Sequence, residues 1–181
     1  MHPPGPSSKS LNVGCGHLPR FGWVNLDVAP LKGVEVVHDL ERIPWPFPEA
    51  WFEEIEMINV LEHLPDTVAI MGELFRIAAP GCRITIRVPY WNSPAAVADP
   101  THRKMFNEET FDFFDPGTRH GRERAYYGQA RFSIERMDFY VGLSNALPFL
   151  KVTWKPLKAL LVVAARFVGG LIWAEEVVLR K

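Results

Sequence analysis

Cysteine is scarce in this chain and net charge is almost absent. Two cysteines, Cys15 and Cys82, among 181 residues make neither a disulfide framework nor a zinc-ligand spacing, and they fit a reducing cytoplasm. A formal net charge of −1 gives no overall drive toward nucleic acid, which shows in sequence as a basic domain or patch, so no nucleic-acid partner is expected. Residues 1–10, MHPPGPSSKS, lack the apolar core of a secretory signal and read as a flexible leader. No apolar run reaches the roughly 20 residues of a membrane span. The one candidate, residues 159–174 (ALLVVAARFVGGLIWA), is broken by Arg166 and Gly169-Gly170; it reads as a core helix, with contact to a membrane surface or a partner as the alternative.

What is present suits one globular domain over residues 11–181, with 48% hydrophobic and 23% charged residues and enough length for a single core. Its organising stretch is residues 11–27, LNVGCGHLPRFGWVNLD: a short strand, a glycine turn, a brief crossover and a second strand ending in a carboxylate. Gly14 and Gly16 allow positive φ and close backbone approach to a ligand, and Asp27 sits where a ribose could be held. A dinucleotide fingerprint would carry a third glycine, where this chain has Pro19. It would also place the acidic residue about 20 residues on, nearly twice the interval from Gly16 to Asp27. Both departures argue against a nucleotide-dependent oxidoreductase and for a nucleoside ligand without phosphates, such as S-adenosylmethionine.

Strands are expected at 11–13, 24–27, 34–37, 54–58 and 83–88, with at most one helical turn in the first crossover. Residues 43–52 carry too much proline for helix or central strand and form a loop with its aromatics tucked back. Val68, Met71, Leu74, Phe75 and Ala78 recur at helical spacing, so residues 66–78 form a helix stopped by Pro80-Gly81. Asp39 falls just past the third strand, and Asn59, Glu62 and His63 past the fourth, where ligands bind in open α/β sheets. Strands alternating with helices or loops define a doubly wound α/β sheet. Residues 90–131 form an elaborated region over the strand ends, and 132–140 and 175–179 are the final strands.

The ordered set LNVGCG, WVNLD, VVHDL, PWPFPEAWFEEI, NVLEHL, the helix ending APG, RITIRVP and ADPTHRKMFNEETFDFF resembles the class I S-adenosylmethionine-dependent methyltransferases, in particular the methyltransferase-type-11 group. The resemblance covers about residues 10–115. It implies a Rossmann-like sheet of seven strands with the last antiparallel, and S-adenosylmethionine lying across the strand ends. Carried over by position, Gly14 and Gly16 flank the methionine part, Asp27 binds the ribose hydroxyls, Asp39 and the Leu40 backbone contact the adenine, and Asn59 lines the pocket. It implies a small-molecule or saccharide acceptor, most often methylated at oxygen.

Methyl transfer from a sulfonium is an in-line displacement that depends on alignment and needs a base only for a protonated acceptor. Asp99 and His102 are the catalytic candidates, since an imidazole oriented by a carboxylate takes up a proton well; substrate positioning and a structural turn are the other readings of the pair. Tyr90, Trp91 and His63 are candidates for the acceptor pocket, Tyr90 and Trp91 as its floor. The basic run Arg119, His120, Arg122, Arg124 and Arg131 reads as a solvated face rather than a phosphate site. No metal site is expected, because His102, Asp99 and His120 show no ligand spacing. A module of this fold that binds the cofactor without transferring a methyl group is the rival reading outside enzymes.

Overall fold

A computed structural model describes residues 8–142 and 150–181; most of the expected leader, residues 1–7, lies outside the described residues. Five strands come first, β1 (Ser10–Val13), β2 (Val24–Asp27), β3 (Val36–Val37), β4 (Phe52–Ile58) and β5 (Ala78–Pro89), all parallel. β6 (Ser133–Val141), β7 (Leu150–Val152) and β8 (Ile172–Arg180) complete one sheet in the order β3-β2-β1-β4-β5-β8-β6-β7. β8, last in the chain, inserts antiparallel between β5 and β6, as expected. Among the described residues the sheet has eight strands rather than seven because the three-residue β7 adds antiparallel to the edge.

Helices are α1 (Thr67–Ile77), α2 (Pro94–Ala98), α3 (Arg119–Glu123) and α4 (Lys155–Ala165). Asp66 opens α1: its Oδ1 accepts from the Ala69 N–H at 2.9 Å, satisfying one free donor of the first turn. Ile70, Met71, Leu74 and Ile77 form its buried stripe and pack on Leu11, Val13, Ile55, Met57, Ile84, Ile86 and Val177 of the sheet. The helix ends at Ile77, and β5 begins at once, pairing Ala78 with Phe52 and running through Pro80-Gly81 with an irregularity opposite Phe52–Glu54. The proline-rich loop is pinned to α1: Trp45 N–H donates to buried Glu73, and Arg76 donates to the carbonyls of Trp45 and Phe47. Trp45 and Phe47 are buried as the sequence implies.

Helices do not wind both faces around β1–β4. The connections β1–β2, β2–β3 and β3–β4 are turns and loop without a helix. The face opposite α1 presents Asn12, Asn25, Glu56, Thr85, Arg87 and Glu176 in cross-strand register. A sheet face that lacks a helical layer must be polar, and here Arg20 pairs with Glu56 at 2.8 Å and Arg87 with Glu176 at 2.5 Å.

A parallel crossover through residues 14–23 is unusually short. A side chain replaces the missing helix: the Asn25 amide accepts from the Arg20 N–H at 2.7 Å and donates to the carbonyls of Arg20 and Trp23 at 2.9 and 3.1 Å. Asn12 donates to the same Asn25 Oδ1 at 3.1 Å. Two buried amides on neighbouring strands thus hold the turn.

The apolar segment 159–174 is not one core helix. α4 stops at Ala165, Gly170 takes φ +77°, and Ile172 onward is strand β8. Leu161, Val162 and Ala165 pack on Tyr90, Phe139 and Ile172, whereas Leu160, Val163, Phe167 and Val168 are exposed. Among the described residues, no helix is long and apolar enough to cross a membrane.

Candidate functional site

At the C-terminal ends of β1, β2, β4 and β5 lie two adjoining cavities, of about 740 and about 390 Å³, that share Asn59 and His63. The larger is lined by Gly14, Asp27, Asp39 and Leu40 on the sheet side and by Pro100, Thr101 and Arg103 opposite. The smaller is lined by Glu62, Asp99, His102, Arg87, Tyr140 and Trp173.

The glycine turn is fixed from both sides. The N–H groups of Gly14 and Cys15 donate to the Leu26 carbonyl at 2.8 and 3.0 Å. Gly14, at φ +65°, is pressed against Val60: a Cβ there would overlap Val60 Cγ2 and lie 2.9 Å from Cγ1. Gly16, at φ +50°, faces open space, where an added Cβ would meet nothing within 4 Å. It is not a lining residue of the larger cavity; its N–H donates to Asp27 Oδ2 at 2.8 Å. Asp27 Oδ1 accepts from the Ala29 N–H at 2.9 Å, which leaves each oxygen a second acceptor site. Asp39 accepts from the Glu41 N–H at 3.0 Å, and the Leu40 carbonyl accepts from the Trp45 indole at 3.1 Å.

Asn59 ends β4 in the left-handed region, at φ +55°, which asparagine tolerates better than most residues. Its N–H donates to the Arg87 carbonyl at 2.8 Å, so the bend that delivers residues 59–63 into the site is tied to β5. A 3-10 turn at Leu61–His63 follows. Glu62, just past the fourth strand, points inward and is 1% exposed. Burial pushes its carboxyl up to about 7. Its carbonyl accepts from the N–H groups of Arg103 and Lys104 at 2.8 and 3.1 Å, which straps residues 99–104 over the strand ends. Along that strap Pro100, Thr101 and Arg103 face the larger cavity, and Asp99 and His102 the smaller.

Asp99 and His102 are near each other without being a pair. Asp99 Oδ1 accepts from the Thr101 N–H at 2.8 Å and its hydroxyl at 2.6 Å, contacts that hold the Asp99 carboxyl below the ordinary carboxylate range. The Thr101 oxygen in turn lies 2.9 Å from His63 Nδ1. His102 Nδ1 is bonded to the Ala96 carbonyl at 3.0 Å, and its Nε2 lies 3.9 Å from Glu62 Oε1. The carboxylate beside His102 is therefore Glu62, while Asp99 reaches His63 through Thr101.

The expected floor of the acceptor pocket is corrected. Tyr90 is 1% exposed, packed edge-on against Phe139 at 5.9 Å with its hydroxyl donating to Glu108 at 2.6 Å. Neither it nor Trp91 lines either cavity. Arg87, Tyr140 and Trp173 stand there instead. Arg87 donates to Tyr140 at 2.7 Å and to Glu176. Burial raises the Glu176 carboxyl, but hydrogen bonds from Lys151, Arg87 and Tyr140 outweigh it and hold the group at about 2. Long-range strand pairing delivers these residues, and no local spacing could have singled them out. None of the basic run Arg119, His120, Arg122, Arg124 and Arg131 lines either of these two cavities; His120 stacks on Phe113 at 4.7 Å.

Comparison with solved structures fixes the fold class: the chain has the Rossmann-like fold of class I S-adenosylmethionine-dependent methyltransferases. It is similar to a SAM-dependent methyltransferase from Archaeoglobus fulgidus (TM-score 0.62, 17% identity, covering 95% of this chain and 85% of that one). It is also similar to a SAM-dependent methyltransferase from Methanosarcina mazei (TM-score 0.56, 13% identity, covering 95% and 91%). A third similar structure is the [4+2]-cyclase SpnF (TM-score 0.54, 14% identity, covering 98% and 75%). No protein-family model matches the sequence and no curated protein is similar to it.

Proposed function

We propose that this protein is an S-adenosylmethionine-dependent methyltransferase, akin to the methyltransferase-type-11 group its motifs resemble, acting at oxygen on a small-molecule or saccharide acceptor. The observation that carries the reading is the pair of cavities meeting at Asn59 and His63. One is bounded by two strand-end carboxylates and a glycine turn, the other by a proton-accepting cluster. The larger cavity suits an adenosyl ligand: Asp27 keeps acceptor capacity for ribose hydroxyls, Asp39 and Leu40 form the wall beyond it, and the turn at Gly14–Gly16 leaves the methionyl end room beside Asn59. Bound there, S-adenosylmethionine would supply an electrophilic methyl group on a sulfonium.

The chain's own residues then have to align the acceptor and remove its proton, because alignment supplies much of the rate in such a displacement. His102 is placed for the second task. A carbonyl only accepts, so the bond to Ala96 puts the proton on Nδ1 and leaves the Nε2 lone pair facing the smaller cavity. Glu62 stabilises the imidazolium that forms, and Asp99 positions His63 through Thr101. Residues 90–131, which include the strap, cover the acceptor.

Thermal shift gives the first test: S-adenosylmethionine or its demethylated product should raise the melting temperature, since a ligand that binds only the folded state stabilises it, and NAD(P)H should not. Turnover against a panel of hydroxyl acceptors follows, with His102→Ala slowing turnover while cofactor affinity is retained. Saturable cofactor binding without turnover on any acceptor would favour a non-catalytic binding module, and no binding at all would end the proposal.

A further inference from the structure

Glu62 is a buried carboxyl whose two oxygens are left free of hydrogen bonds. Its side chain is 1% exposed, so its ionised form is costly unless a positive charge compensates it. Among the described residues, no lysine or arginine pairs with it; its ion-pair neighbour is His102. In its neutral form that neighbour presents an Nε2 lone pair, because Nδ1 carries the proton given to the Ala96 carbonyl. A shared proton would draw Nε2 and Oε1 to roughly 2.7–2.9 Å, whereas they stand 3.9 Å apart.

His63 completes the set in the same way. The Thr101 hydroxyl spends its hydrogen on Asp99 at 2.6 Å, so its oxygen accepts from His63 Nδ1 at 2.9 Å, and His63 Nε2 is also left with a lone pair. Each imidazole is thus locked by an acceptor on Nδ1, the support that metal-ligating histidines characteristically have. The two rings meet edge-on with centroids 4.7 Å apart. One ligating atom from each of Glu62, His63 and His102 falls within 4.8 Å of the others. Zinc–nitrogen bonds of about 2.0–2.1 Å set tetrahedral ligand atoms about 3.3 Å apart, so a cluster spread over as much as 4.8 Å must contract on binding.

We propose that Glu62, His63 and His102 bind a divalent first-row transition-metal cation at the wall shared by the two cavities. Two imidazoles and one carboxylate select such an ion over magnesium or calcium, which prefer oxygen ligands. Three protein ligands leave further coordination positions open toward the smaller cavity. There the cation would hold an acceptor hydroxyl and lower its pKa, so that its proton is lost to water. That acceptor role rests on the methyltransferase reading, in which the occupied site makes His102 a ligand rather than the proton acceptor; cation binding itself does not rest on it.

The test is titration of the full, chelator-stripped chain with Zn²⁺ by calorimetry and with Co²⁺ by visible absorption. One ion per chain is expected at micromolar or tighter affinity, with a cobalt d–d band that zinc displaces. Glu62→Gln and His102→Ala should each weaken binding at least tenfold, and Thr101→Val, which removes only the support of His63, by roughly tenfold. Should Glu62→Gln fail to fold, His63→Ala carries the same comparison. No saturable binding at one ion per chain, or binding unchanged in these variants, would overturn the proposal. A parallel titration with S-adenosylmethionine in chelator separates the two readings: cofactor binding without a metal site sinks only this inference, and a metal site without cofactor binding sinks only the methyltransferase.

Discussion

Gly14 and Gly16 resemble each other in sequence but not in surroundings, and substituting alanine at each separates packing from backbone strain. Both have left-handed φ, +65° and +50°, which costs an alanine roughly 1–2 kcal/mol. At Gly16 nothing lies within 4 Å of the new Cβ, so that strain is the whole penalty. At Gly14 the Cβ would overlap Val60 Cγ2, lie 2.9 Å from Cγ1 and stand 3.2 Å from Cβ. Overpacking of that kind adds about 1–3 kcal/mol, for a total of about 2–5 kcal/mol. Val60→Ala removes both offending methyls, so the double variant Gly14→Ala/Val60→Ala should recover the overpacking part, a coupling of about 1–3 kcal/mol. Gly16→Ala and Val60→Ala should be additive. Urea unfolding followed by tryptophan fluorescence measures all of these. Equal losses at the two glycines, or no coupling between residues 14 and 60, would show that the Gly14–Val60 contact does not constrain the turn.

Acid should weaken the fold through Glu176, whose carboxyl is held at about 2 against an ordinary 4.5. On acidification the unfolded chain takes up this proton first. The contribution, about 3 kcal/mol at 1.36 kcal/mol per pH unit, is therefore intact above about pH 4.5 and lost between there and about pH 2. The stability gap between wild type and Glu176→Gln should close over that window in urea titrations at stepped pH. Asp27→Ala should weaken S-adenosylmethionine binding by calorimetry and also cost roughly 1–3 kcal/mol of stability, because Asp27 accepts two backbone N–H groups; unchanged stability would contradict those bonds. Asn25→Ala leaves the Arg20 N–H without its acceptor and the Asn12 amide with only the Leu18 carbonyl, and should cost at least as much, read as a shifted urea midpoint.

β1 and β2 were legible because each is a short strand closed by glycine or aspartate, and α1 because Asp66 and an apolar stripe mark it at once. The doubly wound expectation gave no sign that helices are missing from the β1–β4 connections, although polar residues alternate along parts of FEEIEMI and RITIRV. Parallel strands covered on both faces by apolar layers read as continuous apolar runs; Glu54, Glu56, Arg83, Thr85 and Arg87 interrupt that pattern with a polar face. Other features depend on partners distant in sequence. Asn25 substitutes for a helix only because Asn12 lies beside it in the parallel register. Tyr90 leaves the site because Phe139 and Glu108 draw it into a second small core.

The same distinction governs the candidate site. Asp27, Asp39 and Asn59 follow strands, and strand ends in a parallel sheet share one edge, so sequence order sufficed to bring them to one cavity. Glu62, His63 and His102 meet for a different reason. The Glu62 carbonyl captures the Arg103 and Lys104 amides, and that backbone contact pulls the strap down and sets His102 opposite the carboxylate of the same residue. Adjacent side chains give a histidine and a glutamate, but which atoms of each are already engaged is decided by Thr101 and Ala96. The chemistry of the cluster therefore follows from lone pairs left over after those bonds are made, a property that residue identity and spacing do not contain.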